Sequence, residues 1–195
     1  MRYAPEHKQE TKDLIITVAG RLFRKHGYEG VGIDRIMADA NLTRGGFYGY
    51  FKSKKDLFQH VVDADHDFNA RMAARDGINH ADLAAQAMEV VSGYLDINNR
   101  KAVGQGCTMA ALSVDVARSD QKTKKAYTNF IEDLAAQFNR TINPDDPKDP
   151  RGLLCIATCV GGLTIARGLT DDALAEKALQ ACRDQVIQIL EDACL

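Results

Sequence analysis

The chain has 195 residues, of which 45% are hydrophobic and 27% charged, with a formal net charge of −2. That length buries a core without disulfide or metal staples, and no apolar run approaches the roughly 20 residues of a membrane span, so disulfide miniproteins and membrane-spanning proteins are excluded from the expectations. The charge is uneven, with 11 Lys+Arg against 7 Asp+Glu in residues 1–60 and 14 against 20 in residues 61–195, a basic head on an acidic body that suits a module meeting phosphate.

Met1 to His7 lack the apolar stretch and small-residue cleavage site of a secretory leader, so a cytoplasmic location and reduced thiols are expected. From there the recurring signal is apolar residues three and four apart, the helical period, with no strand signal anywhere. Leu14, Val18 and Leu22 step by four beside Ile15, Ala19 and Phe23, which predicts a helix over about Gln9–His26 ending near Gly27. A short helix from Ile33 to Ala40 follows, then Asn41-Leu42-Thr43 as a tight turn with Asn41 left-handed, then a second short helix from Arg44 to Tyr50. Ser53 and Asp56 form a cap-like pair opening a long helix that continues through Phe68 into the seventies and links head to body. Helices over Ala81–Ile97, Gln105–Ala117 and Gln121–Ile142 come next. Asn143 to Pro150 holds three prolines and reads as a loop. Two last helices, Arg151–Ala166 and Asp171–Ala193, the second capped by Thr170, bring the expectation to an all-α protein of about nine helices.

Thr43 to Lys54 carries the function. Three glycines, Gly45, Gly46 and Gly49, stand in one short helix, where each costs on the order of 1 kcal/mol relative to alanine. Close approach of the backbone to another molecule explains them, and the major groove of DNA admits a helix end in that way. Phe47 and Phe51 face the core, which leaves Arg44 and Tyr48 outward. Arg44 suits guanine O6 and N7, Thr43 a phosphate or a thymine methyl, and Tyr48, Tyr50 and Lys54 phosphates.

Ala19, Leu22-Phe23, Gly27-Tyr28, Ile36, Ala40, Thr43, Gly45, Phe47-Tyr48, Tyr50-Phe51-Lys52-Ser53-Lys54 and Leu57 together resemble the N-terminal signature of the TetR/AcrR family of transcriptional regulators over residues 11–58. The resemblance implies a helix-turn-helix DNA-binding domain over residues 1–58, with base or phosphate contacts from Thr43, Arg44, Gly45, Tyr48, Tyr50 and Lys54. It also implies a helical ligand-sensing and dimerisation domain over 59–195, in a homodimeric repressor that a small-molecule inducer releases from a double-stranded operator. The chain departs from the pattern at Gly32, Met37, Asn41 and Gly49. Gly32 and Gly49 each lack a side chain that contacts DNA in relatives, which places more weight on Arg44.

In the body, Leu153, Ile156, Val160 and Leu163 on one helix and Leu174, Ala178, Cys182, Val186 and Ile189 on the next recur at helical spacing; they either face a symmetry mate or close the monomer core. Met88, Tyr94, Met109, Tyr127, Phe130 and Phe138 offer soft and aromatic walls for an inducer, or plain core. The five cysteines are odd in number and lack zinc-ligand spacing, so a buried inert thiol is the default for each. Cys107 stands apart because Gly106-Cys107-Thr108 opens a helix, where dipole and backbone donors stabilise a thiolate, so a thiol-switched regulator is the alternative to reversible ligand binding. His60, Asp63 and Asp67 share a helical face but read more simply as a solvated stripe than as metal ligands. No nucleophile, base and orienting group form a set, so neither catalysis nor a cofactor is expected; the competing class is a helical enzyme or carrier whose glycines serve packing.

Overall fold

A computed structural model describes residues 5–64 and 67–194, and every regular element among them is a helix. In chain order these are α1 (Pro5–His26), α2 (Ile33–Asp39), a 3-10 segment (Arg44–Gly49), α3 (Lys54–Asp63), α4 (Asp67–Ala73), α5 (His80–Tyr94), α6 (Ile97–Lys101), α7 (Thr108–Ala117), α8 (Gln121–Ile142), α9 (Pro150–Gly168) and α10 (Asp172–Asp192).

The head is built by local signals that agree with one another. Gly27, at φ 72°, ends α1 with its amide donating to the Phe23 carbonyl at 2.8 Å, and Asn41, at φ 56°, makes the left-handed turn after α2. At α3 the Asp56 amide donates to the Ser53 hydroxyl at 3.1 Å while the Lys52 amide donates to the Asp56 carboxylate at 2.9 Å, a reciprocal cap. Between these stops the apolar faces close on Ile15, Phe23, Ile36, Phe47, Phe51 and Phe58, all buried, with Phe23 and Phe58 edge-to-face at 5.6 Å.

Four expectations about the elements change. The segment after the turn is a 3-10 helix, its Tyr50 amide donating to Phe47 at 3.0 Å, which fits a stretch whose glycines weaken an α-helix. The long linker helix is two helices: α3 stops at Asp63, Ala64 is extended (φ −65°, ψ 149°), residues 65 and 66 lie outside the described residues, and helix resumes at Asp67. The expected helix from Gln105 starts at Thr108, and Asp171 rather than Thr170 caps the last helix, accepting from the amides of Ala173 at 2.8 Å and Leu174 at 3.3 Å. An ionised carboxylate at a helix N-terminus gains from the dipole as well as from the hydrogen bonds.

In the body α9 lies between α8 and α10, with α5 packed on α10. Arg75, at the α4 exit, is buried and donates to the carbonyls of Met72 (2.8 Å), Leu83 (3.0 Å) and Gln137 and to the Thr141 hydroxyl (2.8 Å), tying α4 and α5 to α8. Arg100 closes the far end, donating to the carbonyls of Ala166 at 2.7 Å and Leu169 and pairing with Asp172. Head and body meet along α1–α7 and α3–α8. Leu112, Val116 and Ala126 of the body join the head's core with Val61 and Val62 of α3, and Lys55 pairs with Asp120 at 3.1 Å. Residue 58, the expected division, thus falls inside α3.

Candidate nucleic-acid interface and effector cavity

The 3-10 segment stands on Phe47 and Phe51, so its outer residues are presented by a rigid base. Thr43, Arg44, Gly45 and Tyr48 are exposed, with the Arg44 side chain 68% and the Tyr48 residue 62% accessible. Gly46 and Tyr50 are half-buried beside them. Because the segment is not α-helical, the four-residue spacing does not stack Arg44 over Tyr48; both point outward for the simpler reason that Phe47 takes the inward position. In the free chain Arg44 pairs with Asp34 of α2 at 2.9 Å, and the Asp34 side chain is 65% exposed. An exposed pair of this kind is worth at most about 1 kcal/mol, so a guanine or phosphate can displace it.

A Cβ at Gly45 or Gly49 would meet nothing within 4 Å, and neither residue has a left-handed backbone. The fold leaves room for a side chain at both positions. Lys54 sits differently from the sequence expectation. Its ammonium donates to the carbonyls of Tyr28 at 2.9 Å and Val31 at 3.1 Å and lies 4.1 Å from the centre of the Tyr28 ring, so it braces the α1–α2 turn from below. The acidic stripe also dissolves: α3 ends between His60 and Asp67, His60 packs its ring edge against Phe51 at 5.5 Å, and among the described residues no three His, Cys, Asp or Glu side chains gather as a metal site.

Of the residues expected to wall an inducer site, the structure brings Tyr94 and Cys107 to one cavity. It has a volume of about 230 Å³, lies where α1, α4, α5 and the α6–α7 loop converge, and is also lined by Arg24, Phe68 and Thr108. Met109 and Phe138 are buried core, Met88 and Phe130 pack against that core half-buried, and the Tyr127 hydroxyl hydrogen-bonds the Ser113 hydroxyl at 3.0 Å. Arg24 of α1 crosses from the head, donating through Nε (3.0 Å) and Nη2 (2.8 Å) to the Gly104 carbonyl and through Nη1 to the Thr108 hydroxyl at 3.2 Å. Arg167 of α9 lies against Gly106, where a Cβ would collide with its guanidinium, and donates to the Asn99 carbonyl at 3.3 Å. Sequence reasoning passed over both arginines. The available signal was Arg167 itself, a lone cation late in an apolar helix.

Cys107 caps α7 without a side-chain cap bond. Burial pushes its thiol up from its ordinary value and outweighs the neighbouring Tyr94 hydroxyl, the backbone donors of α7 and the charge of Arg167, which act in the opposite direction. The expected thiolate stabilisation is therefore overridden: desolvation disfavours the charged form more than the helix terminus favours it.

The stripes on α9 and α10 divide. Ile156, Leu163 and Val186 are buried within the single chain, and Val160, Cys182 and Ile189 pack half-buried against the same core, with Ala178 also half-buried. A dimer face cannot rest on the buried three. Leu153 and Leu174 are about half exposed, as is Leu154, which the spacing did not select, and Ile165 is exposed to 61%. Among the described residues no helix is long and apolar enough to cross a membrane.

Comparison with known proteins agrees with this geometry. Residues 15–61 match the model of the bacterial regulatory proteins of the tetR family. An uncharacterised HTH-type transcriptional regulator from the lacX 3′ region of Lactococcus lactis subsp. lactis is 27% identical over 137 residues, 69% of each chain. The HTH-type transcriptional regulator AcrR of Shigella flexneri is 38% identical over 60 residues, 31% of this chain and 28% of that one. Two solved structures share the fold: the reduced form of Escherichia coli NemR (TM-score 0.74, 16% identity, 91% of this chain and 95% of that one) and a TetR transcriptional regulator from Chloroflexus aurantiacus (TM-score 0.71, 23% identity, 94% and 97%). Residues 15–61 thus carry a DNA-binding segment like that of the tetR family of bacterial regulatory proteins, on a chain that shares the fold of these solved regulators over nearly its whole length.

Proposed function

We propose that the protein is a ligand-responsive repressor that binds its operator as a homodimer, reads bases with Arg44 and Thr43, and is released by a small molecule held in the body. Residues 1–58 serve as the DNA-binding unit and 59–195 as the sensing and dimerisation unit. The carrying observation is the 3-10 face, where Arg44 stands exposed and weakly paired beside two glycines that the fold itself does not need. Thr43, Gly45, Gly46, Tyr48 and Tyr50 flank it at the groove and the phosphates. Lys54 supports this surface by fixing the turn beneath it. The exposed leucines and Ile165 of α9 and α10 form the apolar face that a second copy covers, with the half-buried Val160, Ala178, Cys182 and Ile189 beside them.

The test is a duplex recovered from a random pool by the full-length protein, titrated with wild type and Arg44→Ala at two salt concentrations. Loss of a bidentate arginine–guanine contact costs about 2 kcal/mol, on the order of thirtyfold in affinity, and phosphate contacts make the remaining binding fall with salt. Recovery of no preferred sequence, or an Arg44→Ala variant that binds like wild type, sinks the reading.

The second reading, a thiol switch through Cys107, draws support from the position of that residue on the cavity wall at the start of α7. Its raised thiol makes it a slow nucleophile at neutral pH. A Cys107→Ser variant that still responds to the inducer excludes it.

A further inference from the structure

The cavity beneath the α6–α7 loop has a chemical character that the repressor reading leaves open. Arg24 lines it and Arg167 of α9 lies against Gly106 of its lining, and neither guanidinium has a carboxylate partner among the described residues: Arg24 is held by Gly104 and Thr108, and Arg167 by the Asn99 carbonyl alone. The Nε and Nη1 atoms of Arg167 are buried without a hydrogen-bond partner. Tyr94 is 95% buried and lines the cavity. Its hydroxyl lies against the Cys107 thiol but makes no hydrogen bond of normal geometry. The N-terminus of α7, ten residues long, opens at the same wall through Cys107 and Thr108. The carboxylate at the cavity, Asp67, has a side chain 87% exposed at the mouth and faces Arg71 at 4.0 Å.

Each of these features is a standing cost to the chain by itself. Burial pulls both guanidiniums below their ordinary value, and the two repel each other. A buried hydroxyl and two buried N–H donors without acceptors add to it. One occupant offsets these costs together: a small group with negative charge and several acceptor oxygens, seated beside Arg24 at the α7 N-terminus and within the field of Arg167. The volume of 230 Å³ equals about eight waters, below the usual range for drug-sized ligands. Phe68, stacked on Tyr94 at 4.1 Å, provides an apolar wall for the rest of such a molecule.

We propose that this cavity binds a small organic carboxylate, recognised by Arg24, the Tyr94 hydroxyl and the positive field of Arg167. The proposal that the carboxylate is the inducer rests on the ligand-responsive reading above. Arg24 then supplies the coupling, because it belongs to α1 of the head and holds the Gly104 carbonyl of the body with two donors. An anion that draws the guanidinium into the cavity weakens that clasp and frees α1 to move relative to α7.

The experiment is calorimetric titration of the full-length protein, at fixed ionic strength, with benzoate, phenylacetate, butyrate and hexanoate, each against its primary amide. At least one acid is expected to bind tenfold or more tightly than its amide. In Arg167→Gln the preference should shrink to within about twofold. Tyr94→Phe should weaken acid binding while the free protein melts no lower than wild type, since the lost hydroxyl makes no hydrogen bond of normal geometry; this second variant keeps the test valid if Arg167→Gln does not fold. Equal binding of acids and amides, no acid bound at all, or an acid preference that survives in a folded Arg167→Gln overturns the proposal. The same acids added to the protein–duplex complex separate the two ideas. Acids that bind as expected yet leave the duplex bound uphold the site and defeat the release reading, and release by neutral molecules alone does the reverse.

Discussion

The head and the body of this chain are built on opposite plans. Within residues 5–64 the core is aromatic and aliphatic, and no buried polar side-chain atom lacks a partner among the described residues. The body buries Arg75 and leaves Asn69, Tyr94, Asn139 and Arg167 with polar atoms buried and unmatched. An unmatched buried donor costs about 1–3 kcal/mol, so a chain that keeps several in one region holds that region below its best stability. The proposed function accounts for the difference: a head that reads DNA carries its chemistry outside and needs a stiff, dry base, whereas a body that senses a molecule carries its chemistry inside.

The largest test of that contrast is Arg75→Met. If the polar interior of the body is structural wherever it is satisfied, removing this cation strands the carbonyl of Gln137 and the hydroxyl of Thr141 among its acceptors and should cost about 3 kcal/mol, read as a lower urea midpoint with unchanged slope. Burial lowers the guanidinium to about 10, still well above neutrality, so the charge is present throughout the physiological range. A neutral or stabilising result would show that methionine packs there as well as arginine and that even satisfied polar groups in the body are expendable.

A smaller effect concerns the seam between the regions. Asp120 caps α8 and pairs with Lys55 of α3, and the amide and hydroxyl of Thr123 followed by Lys55 pull its carboxyl down to about 2. A carboxylate lowered in the folded state contributes stability that is full above its unfolded value near 4 and is lost as pH falls from about 4 towards 2. Asp120→Asn keeps a capping side chain and removes only the charge. The variant should therefore be less stable than wild type at pH 7 and converge with it near pH 2, in urea midpoints taken across that range. Parallel curves would mean that the seam is held by its apolar contacts alone.

How much of this was legible in the sequence depended on how local the signal was. Gly27, Asn41, Ser53 with Asp56, and the pair Phe47 and Phe51 announced themselves because turn chemistry, capping and helical period act over a few residues. The break at Ala64 gave no warning, since neither proline nor glycine marks it. Ile156, Leu163 and Val186 carry the right period for an interface yet face their own core, because spacing fixes a face and not what stands opposite. Arg24 and Arg167 were invisible as a pair. They lie 143 positions apart in the chain, and only the packing of α1 and α9 around the α6–α7 loop brings them to opposite sides of that loop, Arg24 on Gly104 and Arg167 against Gly106.

The smallest expected effect bears most directly on why the head looks as it does. Gly45 has open space where a side chain would begin and no left-handed backbone, so Gly45→Ala should leave the fold intact and raise stability by about 0.5 kcal/mol, through fewer conformations in the unfolded chain. If the glycine exists so that backbone can approach a groove, the same substitution should weaken binding to the selected duplex while that thermal gain persists. Opposite signs in the two measurements would locate the selective pressure outside the chain. A gain in stability with unchanged DNA affinity would instead show that this glycine is tolerated rather than required, and would move the reading of the groove onto Arg44 and Thr43 alone.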